Sequence, residues 1–279
     1  MTPTAPPVVF LPGAGHSPPD LTAFDTGLED LSRIEPISYP GWQRYVAEDF
    51  SAEVLIAELA EEIIKRVPEG PIRIVGSSIG GHFGYAAALN LQARGREIAG
   101  FCAIDTFMIV SSEPSAGWKQ RALAQAWELI SKGRIRDFLR FARSKFWRAL
   151  LRLAHSHLPN LVRKFAASRS SGSVSSVDAV LEDELSMRLL IRDTAPWIAS
   201  LDREPLPLKA PAVLIRTQLS ASDDAAWRRR CPNIEIHEVP GKHHSIFDPE
   251  NAGHLRNAFM SATREWCAPN KRAFSHQLR

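Results

Sequence analysis

Apolar residues in this chain fall into two arrangements. Some form short unbroken runs, and others recur at every third or fourth position over longer stretches. The unbroken runs predict strands buried on both faces of a parallel sheet, and the wider spacing predicts amphipathic helices. The first run, P-V-V-F-L at 7–11, leads into P-G-A-G. Residues 21–32 have helical spacing, and Ile34–Tyr39 predicts a second strand closed by Pro40-Gly41. Ser51 is a candidate N-cap for a helix carrying Val54, Leu55, Leu59, Ile63 and Ile64, which Pro68 and Gly70 end. Ile72–Val75 predicts a third strand, Ile79–Arg94 a helix stopped by Gly95, and Ile98–Ile104 a fourth strand ending at Asp105.

The alternation then stops. From Thr106 to about Pro207 no strand pattern occurs; helices are predicted over 116–132, 135–153 and 178–201. The composition S-R-S-S-G-S-V-S-S predicts a flexible linker at 168–176. Past Pro211 the alternation resumes with a strand at Ala212–Arg216, a short helix at Asp223–Arg230, a strand at Ile234–Val239 and a helix at Pro249–Trp266. Strand–helix alternation on both sides of a helical insertion predicts an α/β protein with one doubly wound, mostly parallel sheet. The expected division is a core over 1–110 and 208–267, a helical lid over 111–207 and a loose tail over 268–279. Ligands bind outside the carboxyl ends of strands in such sheets, so an insertion leaving from a strand end is expected to lie over the active site.

Composition narrows the class. A chain of 279 residues, 44% hydrophobic, can bury a large core. Cys102, Cys231 and Cys267 are odd in number and lack metal-ligand spacing, so neither a disulfide framework nor a metal site is expected. The N-terminal M-T-P-T-A-P-P has no charged n-region, and no apolar run nears 18 residues. A cytoplasmic protein without a transmembrane segment is expected. The net charge of +3 is unevenly spread: residues 115–170 carry 13 Lys/Arg against 2 Asp/Glu, so the rest of the chain is acidic.

The chemistry centres on R-I-V-G-S-S-I-G-G-H at 73–82. Gly76-Ser77-Ser78-Ile79-Gly80 fits G-x-S-x-G between a strand and a helix. In that context the central serine occupies a sharp, strained turn with small neighbours on both sides. Ser78 is therefore the candidate nucleophile. Ser77 stands at the variable position, and Gly81 is expected to serve close helix packing. The following backbone N–H, that of Ile79, is a candidate oxyanion donor at a helix N-terminus.

A serine needs a base, and the base an orienting acid. G-K-H-H-S-I-F at 241–247 falls in the loop after the last strand, and His243 is favoured over His244 because it stands first after a flexible glycine. His155, His157, His237 and His254 are expected on the surface or in packing, and His82 inside the elbow helix. His16 lies near the first glycine loop, where a capping role is favoured over a substrate contact, and His276 lies in the tail. For the acid, Asp105 and the pair Asp223 and Asp224 both follow strands, and spacing leaves the choice open.

Several stretches resemble the thioesterases of nonribosomal peptide and polyketide synthases: V-V-F-L-P-G-A-G, Y-P-G-W, G-P-I-R-I-V-G-S-S-I-G-G, L-Q-A-R-G-R-E-I-A-G-F-C-A-I-D, P-A-V-L-I-R-T and H-E-V-P-G-K-H-H-S-I-F. The resemblance covers about residues 7–110 and 210–262. It implies an α/β-hydrolase fold with a helical lid, and a Ser–His–Asp triad that releases acyl chains from carrier proteins by hydrolysis or cyclisation. In that family the acid commonly ends the strand after the elbow helix, in a stretch like L-L-D-S. F-C-A-I-D-T matches it, which favours Asp105 over Asp223 and Asp224. The resemblance also puts a second oxyanion donor at Gly13 or Ala14. The family's usual elbow is G-H-S-x-G-G; Ser77 replaces its histidine, which is outside the triad. Implied partners are a phosphopantetheinylated acyl or peptidyl carrier protein and its acyl thioester, with no cofactor.

The starting Met and the length predict a free-standing protein. An insertion of about 100 residues is long for a free-standing editor and nearer to the lids of product-releasing domains. The lid's charge has three readings. Phe138, Ala142, Phe146 and Leu150 predict a packed stripe with a solvated basic face. Basic charge also suits docking of an acidic carrier protein, or a basic amphipathic helix on an anionic membrane. No nucleic-acid recognition motif is present. Two alternative activities follow: an acyltransferase or cyclase that keeps water from the acyl-enzyme, and an esterase or lipase on lipid substrates.

Overall fold

Each unbroken apolar run becomes a strand of one sheet. The computed structural model describes residues 7–14, 19–28, 33–107, 179–201, 203–218 and 224–267, together with scattered helical positions between 123 and 146. The chain forms two compact units, the first comprising Met1–Ser38, Glu53–Met108 and Ile198–Arg279, the second Tyr39–Ala52 and Ile109–Trp197.

The first unit holds the sheet. Its strands are β1 (Pro7–Leu11), β2 (Arg33–Pro36), β3 (Ile72–Ser77), β4 (Ile98–Ile104), β5 (Ala212–Thr217) and β6 (Ile234–Val239). They lie in the order β2-β1-β3-β4-β5-β6, and every pairing is parallel. β3 is buried along its whole length and β4 along nearly all of it, as expected for strands covered on both faces. At the edges, β2 pairs Pro36 where no inner N–H is needed, and β6 exposes Glu235 and Glu238, features that discourage further strand addition. The chain runs outward from β1 to β2, then crosses back to β3 on the other side of β1. That reversal puts a crevice outside the carboxyl ends of β1 and β3, where ligands bind in open α/β sheets.

Helices α1 (Thr22–Asp25), α3 (Ala52–Arg66), α4 (Ile79–Ala93), α6 (Asp224–Arg230) and α7 (Pro249–Cys267) accompany the sheet. Ala252, Leu255, Phe259 and Trp266 repeat at helical spacing and bury one face of α7 in the core that also holds Phe10, Phe24, Val75 and Ile104. The fit is close: a Cβ on Gly100 of β4 would stand 2.0 Å from the Trp266 ring. Truncating a core aromatic such as Phe259 to Ala would cost about 3–5 kcal/mol.

Two expectations are corrected. Of the helix predicted over 21–32, the described residues are helical only at Thr22–Asp25; Thr26 leaves the helix at ψ 116 and Gly27 turns the chain at φ 87, while 29–32 lie outside the described residues. The strand predicted over Ile34–Tyr39 pairs only from Arg33 to Pro36, although the Ile37 N–H still donates to Phe10 O at 2.9 Å.

The second unit contains α2 (Trp42–Tyr45), a short helix without a sequence signal, and most of α5 (Ala179–Leu201), which carries Pro196. Trp42 and Tyr45 are buried, and Tyr45 meets Phe50 edge-on at 5.1 Å. The described positions within the predicted helices 116–132 and 135–153 are helical. Of the stripe predicted to pack, Phe138 is half-buried, whereas Ala142 is exposed and Phe146 is 62% exposed; Leu123 at 71% and Trp127 at 73% are exposed as well. Leu150, the linker at 168–176 and the tail at 268–279 lie outside the described residues. Among the described residues no helix is long and apolar enough to cross a membrane.

Candidate active site

Ser78 is the single residue between β3 and α4, at φ 55 and ψ −127. This backbone region is costly for a residue with a Cβ. Its neighbours permit it. A Cβ on Gly76 would stand 2.2 Å from Gly80 O, and one on Gly80 would stand 2.3 Å from both Leu11 O and Pro12 O. Only glycine fits either position, because the turn folds on itself and on the end of β1. The Ser78 N–H donates to Ile104 O at 2.9 Å, which ties the turn to the end of β4. The P-G-A-G loop passes alongside: the Cβ position of Gly13 is 3.4 Å from Ser78 Cβ and 3.9 Å from its Oγ. Ala14 is the next residue of that loop, and Ile79 begins α4, whose N-terminal end favours negative charge. Ser77 is a buried residue of β3.

Asp105 follows β4 at φ 45 and is fully buried. Its N–H donates to Ile215 O of the neighbouring β5 at 2.7 Å. Carboxylate Oδ1 accepts from the Thr217 N–H at 2.9 Å and the Thr217 hydroxyl at 3.1 Å. Oδ2 stands 2.6 Å from His243 Nδ1. In the neutral tautomer whose Nδ1–H donates to Oδ2, Nε2 is the acceptor of the half-buried imidazole. The 241–247 loop is pinned by Ser245 N–H to Lys242 O at 2.8 Å and by Asn251 Nδ2–H to Ser245 O at 2.9 Å. His244 is exposed, its ring 5.3 Å from that of His243. Asp224 is engaged by Arg216 at 3.4 Å, and Asp223 lies outside the described residues. Among the described residues no hydrogen bond joins Ser78 Oγ to the imidazole; such bonds commonly tighten only when substrate is bound.

Beneath this site lies a polar cluster. His82 of α4 is fully buried; its Nδ1 accepts from Arg230 at 2.7 Å, which leaves Nε2–H to donate to Phe107 O at 3.2 Å. Burial, reinforced by the Arg230 guanidinium, pushes the His82 pKa down to about 3, against the Phe107 hydrogen bond, which raises it. The Trp227 ring stacks on His82 at 5.7 Å, and its Nε1–H donates to Thr106 O at 3.0 Å. The expected packing role of Gly81 has a concrete form: a Cβ there would stand 2.1 Å from Thr106 Oγ1. Sequence reasoning left Thr217, Trp227 and Arg230 without roles. Thr217 had a usable signal, since it ends the strand after the insertion. Arg230 had a misleading one, since R-R-R reads as a solvated run.

A serine held at positive φ over the switch point of a parallel sheet is the architecture of the α/β-hydrolases, and that is the fold of this chain. Solved structures of the same fold include a NocB thioesterase domain in covalent complex with a fluorophosphonate nocardicin G analogue, 20% identical over 92% of this chain and 94% of that one, TM-score 0.52. They also include a wild-type Vlm2 thioesterase domain, 17% identical over 92% and 91%, TM-score 0.58. A third is holo-AB3403, a four-domain nonribosomal peptide synthetase bound to AMP and glycine, 19% identical over 92% of this chain and 19% of that one, TM-score 0.53. The sequence matches the thioesterase domain family over residues 6–259, and the chain belongs to that family of hydrolases. No curated protein matches it.

Proposed function

We propose that this protein is a serine thioesterase that releases an acyl or peptidyl chain from a carrier-protein phosphopantetheine thioester through an acyl-enzyme. The observation that carries this reading is the Asp105–His243 contact of 2.6 Å beyond the carboxyl ends of β4 and β6, the same end of the sheet at which the strained Ser78 turn follows β3. Ser78 Oγ attacks the thioester carbonyl while His243 Nε2 takes the hydroxyl proton, and Asp105 holds the resulting imidazolium. The tetrahedral oxyanion is met by the N–H of Ile79 and a second N–H from Gly13 or Ala14. Collapse breaks the C–S bond, and the proton on His243 leaves with the thiol. Water, or a hydroxyl or amine of the chain itself, then attacks the acyl-enzyme with His243 again as base, giving a free acid or a ring. The likeness to a nonribosomal peptide synthetase structure supports a carrier-bound donor.

Ser78→Ala is expected to abolish acyl-thioester turnover and fluorophosphonate labelling; a variant that retains both refutes this assignment. A second reading, an esterase or lipase at a lipid surface, is favoured by the exposed Leu123, Trp127 and Phe146 within a strongly basic segment. A panel of acyl-carrier thioester, acyl-CoA and oxygen ester separates the two. Preference for the oxygen ester together with liposome binding favours the lipase, and transfer to an amine or alcohol in preference to water marks an acyltransferase.

A further inference from the structure

We infer that His82, Trp227 and Arg230 form a positioning unit that sets the orientation of the Asp105–His243 pair by holding the two carbonyls that follow Asp105. The inference rests on the proposed catalytic role of that pair. Residues 105–107 leave β4 in irregular backbone, with Asp105 at φ 45. A turn in this conformation is retained only where its surroundings over-determine it. The surroundings here are two fully buried donors from two helices: Trp227 Nε1–H on Thr106 O at 3.0 Å from α6, and His82 Nε2–H on Phe107 O at 3.2 Å from α4.

Arg230 makes the second donor reliable. Its Nη1–H occupies His82 Nδ1 at 2.7 Å, so the ring proton must sit on Nε2, the atom facing Phe107. The guanidinium is itself held over the Trp227 ring at 5.2 Å and the Tyr85 ring at 5.3 Å. The segment so gripped touches the imidazole twice, through Asp105 Oδ2 and through the Phe107 ring, which meets His243 edge-on at 4.8 Å. Loosening either carbonyl therefore shifts both groups that orient the base.

The test uses the full chain, with His82→Leu, Trp227→Phe and His82→Gln compared by kcat and KM on an acyl-CoA, by the second-order rate of fluorophosphonate labelling, and by circular dichroism. His82→Leu and Trp227→Phe each remove one donor. Both are expected to lower kcat and the labelling rate at least about tenfold per folded molecule, with KM within about twofold, since small misplacements of a base have effects on this scale. His82→Gln can donate to Phe107 O and accept from Arg230, and is expected to stay within about threefold of wild type. Unchanged kcat in folded His82→Leu or Trp227→Phe overturns the inference, as does His82→Gln losing as much as His82→Leu. Should His82→Leu not fold, Trp227→Phe and His82→Gln decide between the same outcomes. A wild type that fails to label sinks the parent reading instead, whereas a wild type that labels beside undiminished donor variants sinks only this one.

Discussion

Acidification should weaken this fold through one imidazole. His82 has no solvent exposure, and burial with help from Arg230 holds its pKa near 3, against 6.5 for an ordinary histidine. Between those values the unfolded chain binds a proton that the folded chain refuses. Stability from this group is therefore complete above about pH 6.5, declines as pH falls through the window, and levels off below about pH 3. The limiting slope for one proton is about 1.4 kcal/mol per pH unit, and integration from pH 7 to pH 5 gives a loss of about 2 kcal/mol. The contacts lead to the same sign: a protonated Nδ1 could not accept from Arg230, and two cations would face each other at 2.7 Å. His82→Gln keeps both hydrogen-bond partners and does not titrate. Urea unfolding of both proteins at pH 7, 6 and 5, at constant ionic strength and followed by two probes, isolates the effect because the other histidines cancel in the difference. The stability difference between wild type and variant should shift by about 2 kcal/mol toward the variant on going from pH 7 to pH 5. Parallel curves would refute the reasoning, because they would mean that His82 takes up its proton equally in both states.

Other outcomes follow from the same geometry. Asp105→Asn is expected to lower kcat by about 10⁴-fold by leaving His243 in the wrong tautomer, while Asp224→Ala, which removes a partly exposed ion pair, should stay within about twofold; reversal of that order in steady-state assays would move the acid to Asp224. Thr217→Val removes the 3.1 Å hydrogen bond to Asp105 Oδ1 but leaves the backbone donor, so kcat should fall roughly tenfold with KM unchanged, as for one hydrogen bond to a charged group. Gly81→Ala drives a methyl into Thr106 and should destabilise by about 1–3 kcal/mol in thermal melts; adding Thr106→Ala should recover part of that loss.

The sheet was legible because strands buried on both faces leave nothing but apolar residues in a run: P-V-V-F-L and I-A-G-F-C-A-I could hardly be anything else. The elbow was legible because close approach of backbone admits only glycine, and Gly76 and Gly80 carry that requirement in one-letter form. Helical periodicity predicted over 21–32 fails, among the described residues, at Thr26 with ψ 116 and at Gly27 with φ 87, where backbone conformation overrides the apolar spacing. Spacing alone left the choice among Asp105, Asp223 and Asp224 open, because the contact that favours Asp105 joins it to His243, 138 positions away. The pairing of His82 with Arg230 spans 148 positions, and nothing local distinguishes a buried arginine at the end of R-R-R from its two exposed neighbours.

The backbone at Ser78 has a consequence for anyone seeking a hardier form of this protein. At φ 55 a side chain costs on the order of 1–2 kcal/mol that glycine would not. Ser78→Gly is thus expected to melt higher than wild type, measurable by calorimetry as a rise of a few degrees, while losing the hydroxyl on which the proposed chemistry depends. A variant library screened only for survival on heating would be drawn toward that substitution, and so toward inert protein. Selection for robustness therefore needs a turnover assay run alongside it from the first round.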